Sequence, residues 1–218
     1  MHAVRYGTII DRVVPRGQSK AGTLTRDILL ILAGTAFVAL LAQISIPWYP
    51  VPFTGQTLAV LLVGGVLGAL RGALALAVYF AIGALGAPVF TDQSGGWDVI
   101  TGATGGYIIG FIVAAAVVGW LCSRGADRRV VPMILALILG NVIIYAIGLP
   151  WLASWVPPGA DAAFGWAQAW TFGFEPFVFG DALKLVFAAA LLPAGWALLQ
   201  RTGFGREREQ DGPPAGML

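Results

Sequence analysis

The sequence predicts an all-α, polytopic membrane protein with six transmembrane helices and both chain ends in the cytoplasm. Three observations lead to this fold class. Of the 218 residues, 58% are hydrophobic and only 11% are charged, whereas a soluble domain carries about 25% charged residues. Apolar runs close to the roughly 20 residues that cross a bilayer recur along the whole chain. Finally, the basic residues fall almost entirely on one side of an alternating six-span arrangement.

The six apolar stretches follow one another with short connections. They cover residues 28–46, 57–70, 72–85, 105–121, 130–152 and 182–199. The second and third are shorter than about 20 residues, so each must borrow flanking residues or stop short of one membrane face. Three parts follow from these limits: a cytoplasmic segment 1–26, a membrane domain 27–200, and a cytoplasmic tail 201–218. The tail is polar and rich in proline and glycine, and we expect it to be disordered.

The distribution of charge sets the expected orientation. Twelve of the 13 lysines and arginines lie in the two ends, at Arg71, or in the 124–129 loop. The three opposite loops contain no basic residue and hold the acidic residues Asp92, Asp98, Asp161 and Glu175. The positive-inside rule therefore places both ends on the cytoplasmic side of the membrane. The membrane that we expect is the bacterial cytoplasmic (inner) membrane.

Composition also excludes several classes of function. The low charge excludes an ordinary cytosolic enzyme and a nucleic-acid binder. The single histidine, His2, and the single cysteine, Cys122, leave no basis for a metal site or a histidine-based catalytic triad. The sequence has no phosphate-binding loop for ATP. We therefore expect no enzymatic activity, no cofactor and no metal, and any energy for transport must come from an ion or a partner protein.

Lys184 is the one basic residue outside the cytoplasmic segments. It lies one turn into the sixth span, three residues after Asp181, so the two share a helix face. One interpretation is structural: Asp181 caps the helix N-terminus and Lys184 extends its ammonium group towards water. The other is a ligand site, in which a helix N-terminus and an ammonium group receive a carboxylate. The sequence does not separate the two.

Two outer loops are further candidates for a binding site. The segment 95–107 is dense in glycine, so Gly102, Thr104, Gly105 and Gly106 could present backbone amides to a ligand. Trp97 and Tyr107 in the same segment could cover a flat ring. The alternative is a flexible loop leading into a glycine-rich helix. The segment 47–57, which includes Thr54 and Gln56, is stiffened by three prolines and is either a lid or a rigid connector.

Two sets of residues within the spans have functional and structural interpretations. Asn141 and Tyr145 share one face of span five, and they serve either as hydrogen-bonding contacts between helices or as ligand groups. Small residues follow one side of span one at Ala33, Ala36 and Ala39. This stripe favours close helix packing, either within the bundle or against another membrane protein.

Three groups of segments together resemble the BioY family, the biotin-binding S components of energy-coupling-factor importers. The first runs from Ile44-Ser45-Ile46-Pro47 through Val51-Pro52-Phe53-Thr54-Gly55-Gln56-Thr57. The second joins Gly86-Ala87-Pro88-Val89-Phe90 to Gly102-Ala103-Thr104-Gly105-Gly106-Tyr107, and the third joins Pro176-Phe177 to Gly180-Asp181 and Lys184. The resemblance extends from about residue 30 to 195.

The resemblance implies a six-helix S-component fold with an outward-facing pocket for one biotin molecule. It implies that Asp181, Lys184 and the 102–107 turn form the pocket, and that the loop around Thr54 to Thr57 is its lid. The expected substrate-binding residues are Asp181, Lys184, Thr54, Gln56, Trp97, Gly102, Thr104, Gly105, Gly106, Tyr107, Asn141 and Tyr145.

The resemblance also implies partners. These are a transmembrane T component, docked on Ala33, Ala36 and Ala39, and two cytoplasmic ATPases. A homo-oligomer is left open. The alternative function is a self-sufficient secondary transporter of biotin or another small vitamin-like carboxylate. That function normally needs a coupling carboxylate deep in the bundle, and the spans offer only Asp181 near an outer end.

Overall fold

The structure is a computed structural model that describes residues 7–15 and 17–201, most of which are helical. Four of the described helices are long and apolar enough to cross a membrane: α2 (Lys20–Ala42), α6 (Gly105–Ser123), α7 (Val130–Ser154) and α9 (Phe177–Arg201). Two shorter apolar helices, α3 (Gln56–Leu67) and α4 (Ala69–Ala84), follow α2. The prediction of a mainly helical, multi-pass membrane protein is confirmed.

Each of these six helices coincides with one predicted apolar stretch, but several end differently from the expectation. Helix α2 begins at Lys20, inside the segment expected to be cytoplasmic, because Ser19 caps it by accepting a hydrogen bond from the amide of Gly22. Helix α9 begins at Phe177, five residues before the predicted start. Helices α3 and α4 are separated only by Gly68, whose φ of 84° permits the sharp turn.

Smaller elements interrupt the all-α pattern. A two-stranded antiparallel hairpin pairs β1 (Ser45–Ile46) with β2 (Phe53–Thr54). Three short helices were not predicted from the sequence: α1 (Ile9–Val13), α5 (Trp97–Thr101) and α8 (Trp166–Gly173). The expected disorder of the tail concerns residues that, beyond Arg201, lie outside the described part of the chain.

Helices α6 and α7 form the centre of the bundle, and glycine lets them approach closely. A Cβ atom on Gly106 would lie 2.2 Å from Cβ of Trp151, and one on Gly148 would lie 2.5 Å from Cδ1 of Tyr107. Both separations are too short for any side chain larger than hydrogen. The close contact fixes the ring of Tyr107 against the backbone of α7, which positions its hydroxyl group for the site described below.

The bundle has two chemically different ends. What we call the terminal end carries α1, the α3–α4 turn, the 126–128 turn and the last turns of α9. Here Ile9 lies beside Gly195, and the indole of Trp196 donates a hydrogen bond to the carboxylate of Asp127. What we call the cavity end carries the hairpin, the 85–104 segment, α8 and the first turns of α9.

Ion pairs at the terminal end hold α1 against the bundle. The carboxylate of Asp11 accepts hydrogen bonds from Arg26 on α2 at 2.9 Å and from Arg71 on α4 at 2.8 Å. Burial alone would raise the pKa of Asp11, but the bonds from Thr8, Arg71 and Arg26 outweigh it and lower the pKa to about 2. Asp27 bridges the same two arginines. The cluster therefore links three helices.

Candidate functional site

A cavity of about 320 Å³ lies at the cavity end, a size within the usual range of small-molecule sites. The hairpin, the segment after α4, and helices α6, α7 and α9 all contribute to it. Most of its wall is apolar, including Val51, Phe90, Ile108, Phe111, Ile144 and Phe177. Its polar side chains are Thr54, Gln56, Thr57, Thr91, Asp92, Ser94, Thr104, Tyr107, Tyr145, Asp181 and Lys184.

The deepest polar group is the carboxylate of Asp181, which is 4% exposed. Its Oδ1 lies 3.0 Å from Nζ of Lys184 and accepts a hydrogen bond from the hydroxyl of Thr57 at 3.2 Å. Its Oδ2 accepts a hydrogen bond from the hydroxyl of Tyr145 at 2.5 Å. Lys184 also donates to the hydroxyl of Thr57 at 2.9 Å. Helices α3, α7 and α9 thus meet at one polar cluster on the cavity wall.

This geometry contradicts the structural interpretation of Asp181 and Lys184. Asp181 does not cap α9, because the helix begins four residues earlier at Phe177 and the carboxylate receives side-chain donors. Lys184 does not extend towards water, because its ammonium group is bonded to Thr57 and Asp181. A buried carboxylate and a lysine are therefore held together as an ion pair on the wall of the cavity. This arrangement is typical of a functional site in a membrane protein.

The hairpin brings Thr54 and Gln56 to the cavity, as the lid hypothesis requires. The amide of Gln56 is buried and donates to the hydroxyl of Tyr79 at 2.6 Å, and its carbonyl oxygen accepts a bond from Thr54 at 2.9 Å. Phe53 of β2 stacks on Phe177 of α9, with ring centroids 4.3 Å apart. The hairpin is therefore packed over the cavity, and its role as a lid stays a prediction.

The glycine-rich turn is divided between the cavity and the bundle. Thr104 and Tyr107 line the cavity, and the hydroxyl of Tyr107 donates to the carbonyl of Gly173 at 3.0 Å. Gly102, Gly105 and Gly106 do not line it. The carbonyl of Gly102 accepts a bond from the indole of Trp151 at 2.9 Å. Gly105 and Gly106 pack against α5 and α7, where an added Cβ would meet Ile100 and Trp151.

Two other predicted residues also lie away from the cavity. The side chain of Trp97, at the start of α5, is 61% exposed because the helix points it outward. Asn141 is buried one helical turn from Tyr145 and lines a second, apolar groove between α7, α8 and α9, to which Tyr145 and Asp181 also contribute. Its Oδ1 has no hydrogen-bond partner among the described residues. Neither Trp97 nor Asn141 therefore lines the cavity itself, although Asn141 shares the second groove with Asp181.

Several lining residues were not predicted. Thr57 bridges Asp181 and Lys184, and its place in the segment Thr54-Gly55-Gln56-Thr57 is the signal that pointed towards it. Phe177 lines the cavity because α9 begins at this residue, four positions before Asp181. Asp92 and Ser94 come from a turn whose sequence shows no motif. No group of three or more metal-ligating side chains occurs among residues 7–15 and 17–201.

Comparison with known proteins agrees with this architecture. The BioY family model matches residues 14–201. A biotin transporter BioY of Thermotoga maritima is 42% identical over 164 residues, which cover 74% of this chain and 92% of the relative. The chain belongs to the BioY family. A biotin transporter BioY of Rhizobium etli is 36% identical over 77% of this chain and 91% of its own length.

A solved structure has a similar fold. The crystal structure at 2.1 Å of the S-component for biotin from an ECF-type ABC transporter matches with a TM-score of 0.66. The match is 21% identical in sequence and covers 82% of this chain and 94% of the other. The family resemblance expected from the sequence is confirmed. Helix α1 lies outside the matched residues 14–201.

Proposed function

We propose that this protein is the substrate-capturing membrane subunit for biotin uptake and that the 320 Å³ cavity binds one biotin molecule. The observation that carries the proposal is the buried Asp181–Lys184 pair on the wall of an otherwise largely apolar cavity. Biotin is a small apolar bicycle with a urea group and a carboxylate-bearing side chain. The cavity supplies apolar walls and converging hydrogen-bond donors and acceptors, which is what such a ligand needs. The relatives named as biotin transporters support the same ligand.

Each polar residue of the cluster has a proposed part in binding. The carboxylate of Asp181 accepts from ligand N–H groups, and Lys184 donates to a ligand oxygen atom. The hydroxyl group of Tyr145 donates to Asp181, so its oxygen is left to accept from a ligand N–H group. Thr57 holds the ion pair in place through its two hydrogen bonds. Burial of Asp181 strengthens the hydrogen bonds to its carboxylate, because a less polar surrounding screens them less than water does. The protein performs no bond-making step, so binding and release are its whole chemistry.

The test is equilibrium binding by the purified full-length protein. Tryptophan fluorescence or calorimetry in detergent should show one-to-one, tight binding of biotin. Lipoate, another small sulfur-containing carboxylate without a urea group, should bind at least about 100-fold more weakly, because it lacks the partner for Asp181. No biotin binding by a folded sample would overturn the proposal.

We also propose the orientation implied by charge. The α2, α3, α4, α6, α7 and α9 helices are the six spans, and both chain ends lie in the cytoplasm of the bacterial inner membrane. The arginines at the terminal end and their absence from the cavity end support this orientation. A cytoplasm-active reporter fused after Leu218 should be active, and one inserted after Asp161 should be inactive. The reverse pattern would contradict this orientation.

The energy source proposed for uptake is an ATPase module. A transmembrane T component would dock on α2, where the structure exposes Ala33 and Ala36 and half-buries Ala39. Replacing Ala36 with Leu should weaken co-purification with a T component while leaving biotin binding unchanged. Ala190→Leu, at an exposed position on α9, is the matched control. Biotin accumulation by reconstituted vesicles without any ATPase would instead favour the self-sufficient transporter.

A further inference from the structure

The mouth of the cavity opens into a second depression that the proposed function does not use. This rim groove, of about 490 Å³, is lined by Pro47, Trp48, Tyr49, Pro52 and Asp92. Pro52 and Asp92 also line the cavity, so the two spaces adjoin. The side chains of Trp48 and Tyr49 are 44% and 66% exposed. A ligand group that extended from the cavity into the rim groove would lie beside two aromatic side chains and one carboxylate.

The backbone holds Asp92 at this rim in an unfavourable conformation. Asp92 and Gln93 have φ angles of 56° and 55°, in a region that residues other than glycine seldom adopt. Hydrogen bonds fix the turn: Ser45 donates to Oδ1 of Asp92 at 2.7 Å, and the amide of Gln93 donates to the side chain of Gln43 at 3.0 Å. Gln43 also donates to the carbonyl of Phe90 at 3.0 Å. Such constrained turns concentrate at ligand sites.

The electrostatics of the rim groove favour positive charge. Between Gln43 and Ser123 the sequence has one basic residue, Arg71, which lies at the terminal end. The segment 155–183 has none. Lys184 is the basic residue of the cavity, and its charge is balanced by Asp181 at 3.0 Å. Asp92 forms no ion pair with a residue of the described ranges 7–15 and 17–201. The partly exposed aromatic rings of Trp48 and Tyr49 also attract cations.

We propose that the rim groove is an outer subsite that accepts an ammonium group carried on the side chain of the bound ligand. The inference rests on the proposed function, since it places biotin in the cavity. The neutral Asp181–Lys184 pair suits the uncharged urea ring, so the side chain points towards Asp92. Amine-bearing amide conjugates of biotin are then ligands in their own right, and the free carboxylate is the less favoured end group at the rim.

The experiment compares three ligands of different charge on the purified full-length protein. These are biotin (an anion), N-methylbiotinamide (uncharged) and N-(2-aminoethyl)biotinamide (a cation). At low ionic strength, where charges act over about 30 Å, the aminoethyl amide should bind roughly three- to tenfold more tightly than the methyl amide. Adding salt to about 0.5 M should reduce this preference.

One variant and a matched control test whether the preference for the aminoethyl amide depends on Asp92. Asp92→Asn keeps the acceptor for Ser45, and asparagine tolerates positive φ, so the turn is preserved. The variant should bind the two amides with equal affinity. It should also bind biotin more tightly, because the negative charge beside the biotin carboxylate is gone. Asp98→Asn removes an exposed charge on α5 that lines neither the cavity nor the rim groove, and it should leave the preference intact.

The outcomes separate this inference from the proposed function. If biotin binds but both amides bind equally, or the preference survives Asp92→Asn, the outer subsite is wrong and the biotin cavity stands. If biotin binds and neither amide does, the side chain points inward and the outer subsite is again wrong. If none of the three ligands binds to folded protein, both proposals fail.

Discussion

Both ends of the bundle contain buried or half-buried ion pairs, and the pair at the cavity end lines the cavity. At the terminal end, Asp11 is enclosed by Arg26, Arg71 and Thr8, and its oxygen atoms are used to join helices. At the cavity end, Asp181 and Lys184 line a 320 Å³ cavity. Charge in a membrane protein therefore marks a site only where the structure leaves room beside it. The same residue types at the terminal end serve the fold.

The largest expected effect is a loss of biotin binding, and it should depend on which end of the bundle loses the cation of its ion pair. Lys184→Met removes the positive partner of a buried carboxylate on the cavity wall and should weaken biotin binding by roughly 100-fold or more. Arg71→Met removes a partner of Asp11 far from the cavity and should change binding by less than about threefold while lowering thermal stability. Titration calorimetry and thermal unfolding measure the two effects. Equal losses of binding would remove the distinction between the ends.

A substitution at the contact between α6 and α7 should mainly lower the free energy of unfolding. Gly148→Ala places a methyl group against the ring of Tyr107 and should cost about 1–3 kcal/mol of unfolding free energy. Displacing that ring should also disturb its bond to Gly173 and weaken biotin binding. Gly180→Ala is the control, because a Cβ there meets nothing within 4 Å. A neutral Gly148→Ala variant would show that α6 and α7 are less tightly packed than described.

Much of this arrangement could be predicted from the sequence, for reasons that particular residues illustrate. A lone lysine near Asp181 is so unusual in an apolar span that its rarity alone made the two residues a candidate site, although the sequence left a structural interpretation equally open. Arginine placement and apolar runs likewise located the helices. The glycines were harder to interpret. Gly105 and Gly106 were predicted to present amides to a ligand, but they pack against Ile100 and Trp151 instead. Glycine permits a close approach of the backbone in either case, so the residue type alone does not separate ligand binding from helix packing.

Other features depend on contacts that no local pattern encodes. Thr57 is an ordinary residue in its segment, and only the fold places it against Asp181, 124 positions later. Helix α8 combines polar and aromatic residues with no clear period, so it was not distinguished from a loop. Trp97 looked suited to covering a ring, but the direction of α5 decides where it points, and that direction comes from tertiary packing.

A half-buried threonine, Thr57, and a buried one, Thr35, offer a smaller and more selective comparison. Thr57→Val removes the bridge between Asp181 and Lys184 and should weaken biotin binding about tenfold with little change in stability. Thr35→Val removes a bond from α2 to the carbonyl of Ala75 on α4, 2.8 Å away, and should cost about 1 kcal/mol of stability with binding unchanged. Titration calorimetry measures the change in biotin binding, and thermal unfolding measures the change in stability. Reversed results would assign Thr57 to the fold alone.

The smallest expected effect is the pH dependence of the terminal end. Because the folded-state pKa of Asp11 is about 2, below its usual 3.8, the stabilisation from its ionised form is complete above pH 4 and is lost as the pH falls towards 2. The difference in melting temperature between the native protein and Asp11→Asn should therefore be constant from about pH 5 to 7 and should shrink below about pH 4. A difference that grows in acid would contradict the ion-pair cluster.

The most direct test of the central claim is calorimetric titration of biotin into the native protein, Asp181→Asn and Asp11→Asn. Asparagine keeps the size of aspartate but loses the charge that pairs with Lys184. We predict one-to-one binding by the native protein and by Asp11→Asn, and a loss of roughly 100-fold or more in Asp181→Asn. Unchanged affinity in a folded Asp181→Asn variant would contradict the claim that this cavity is the biotin site.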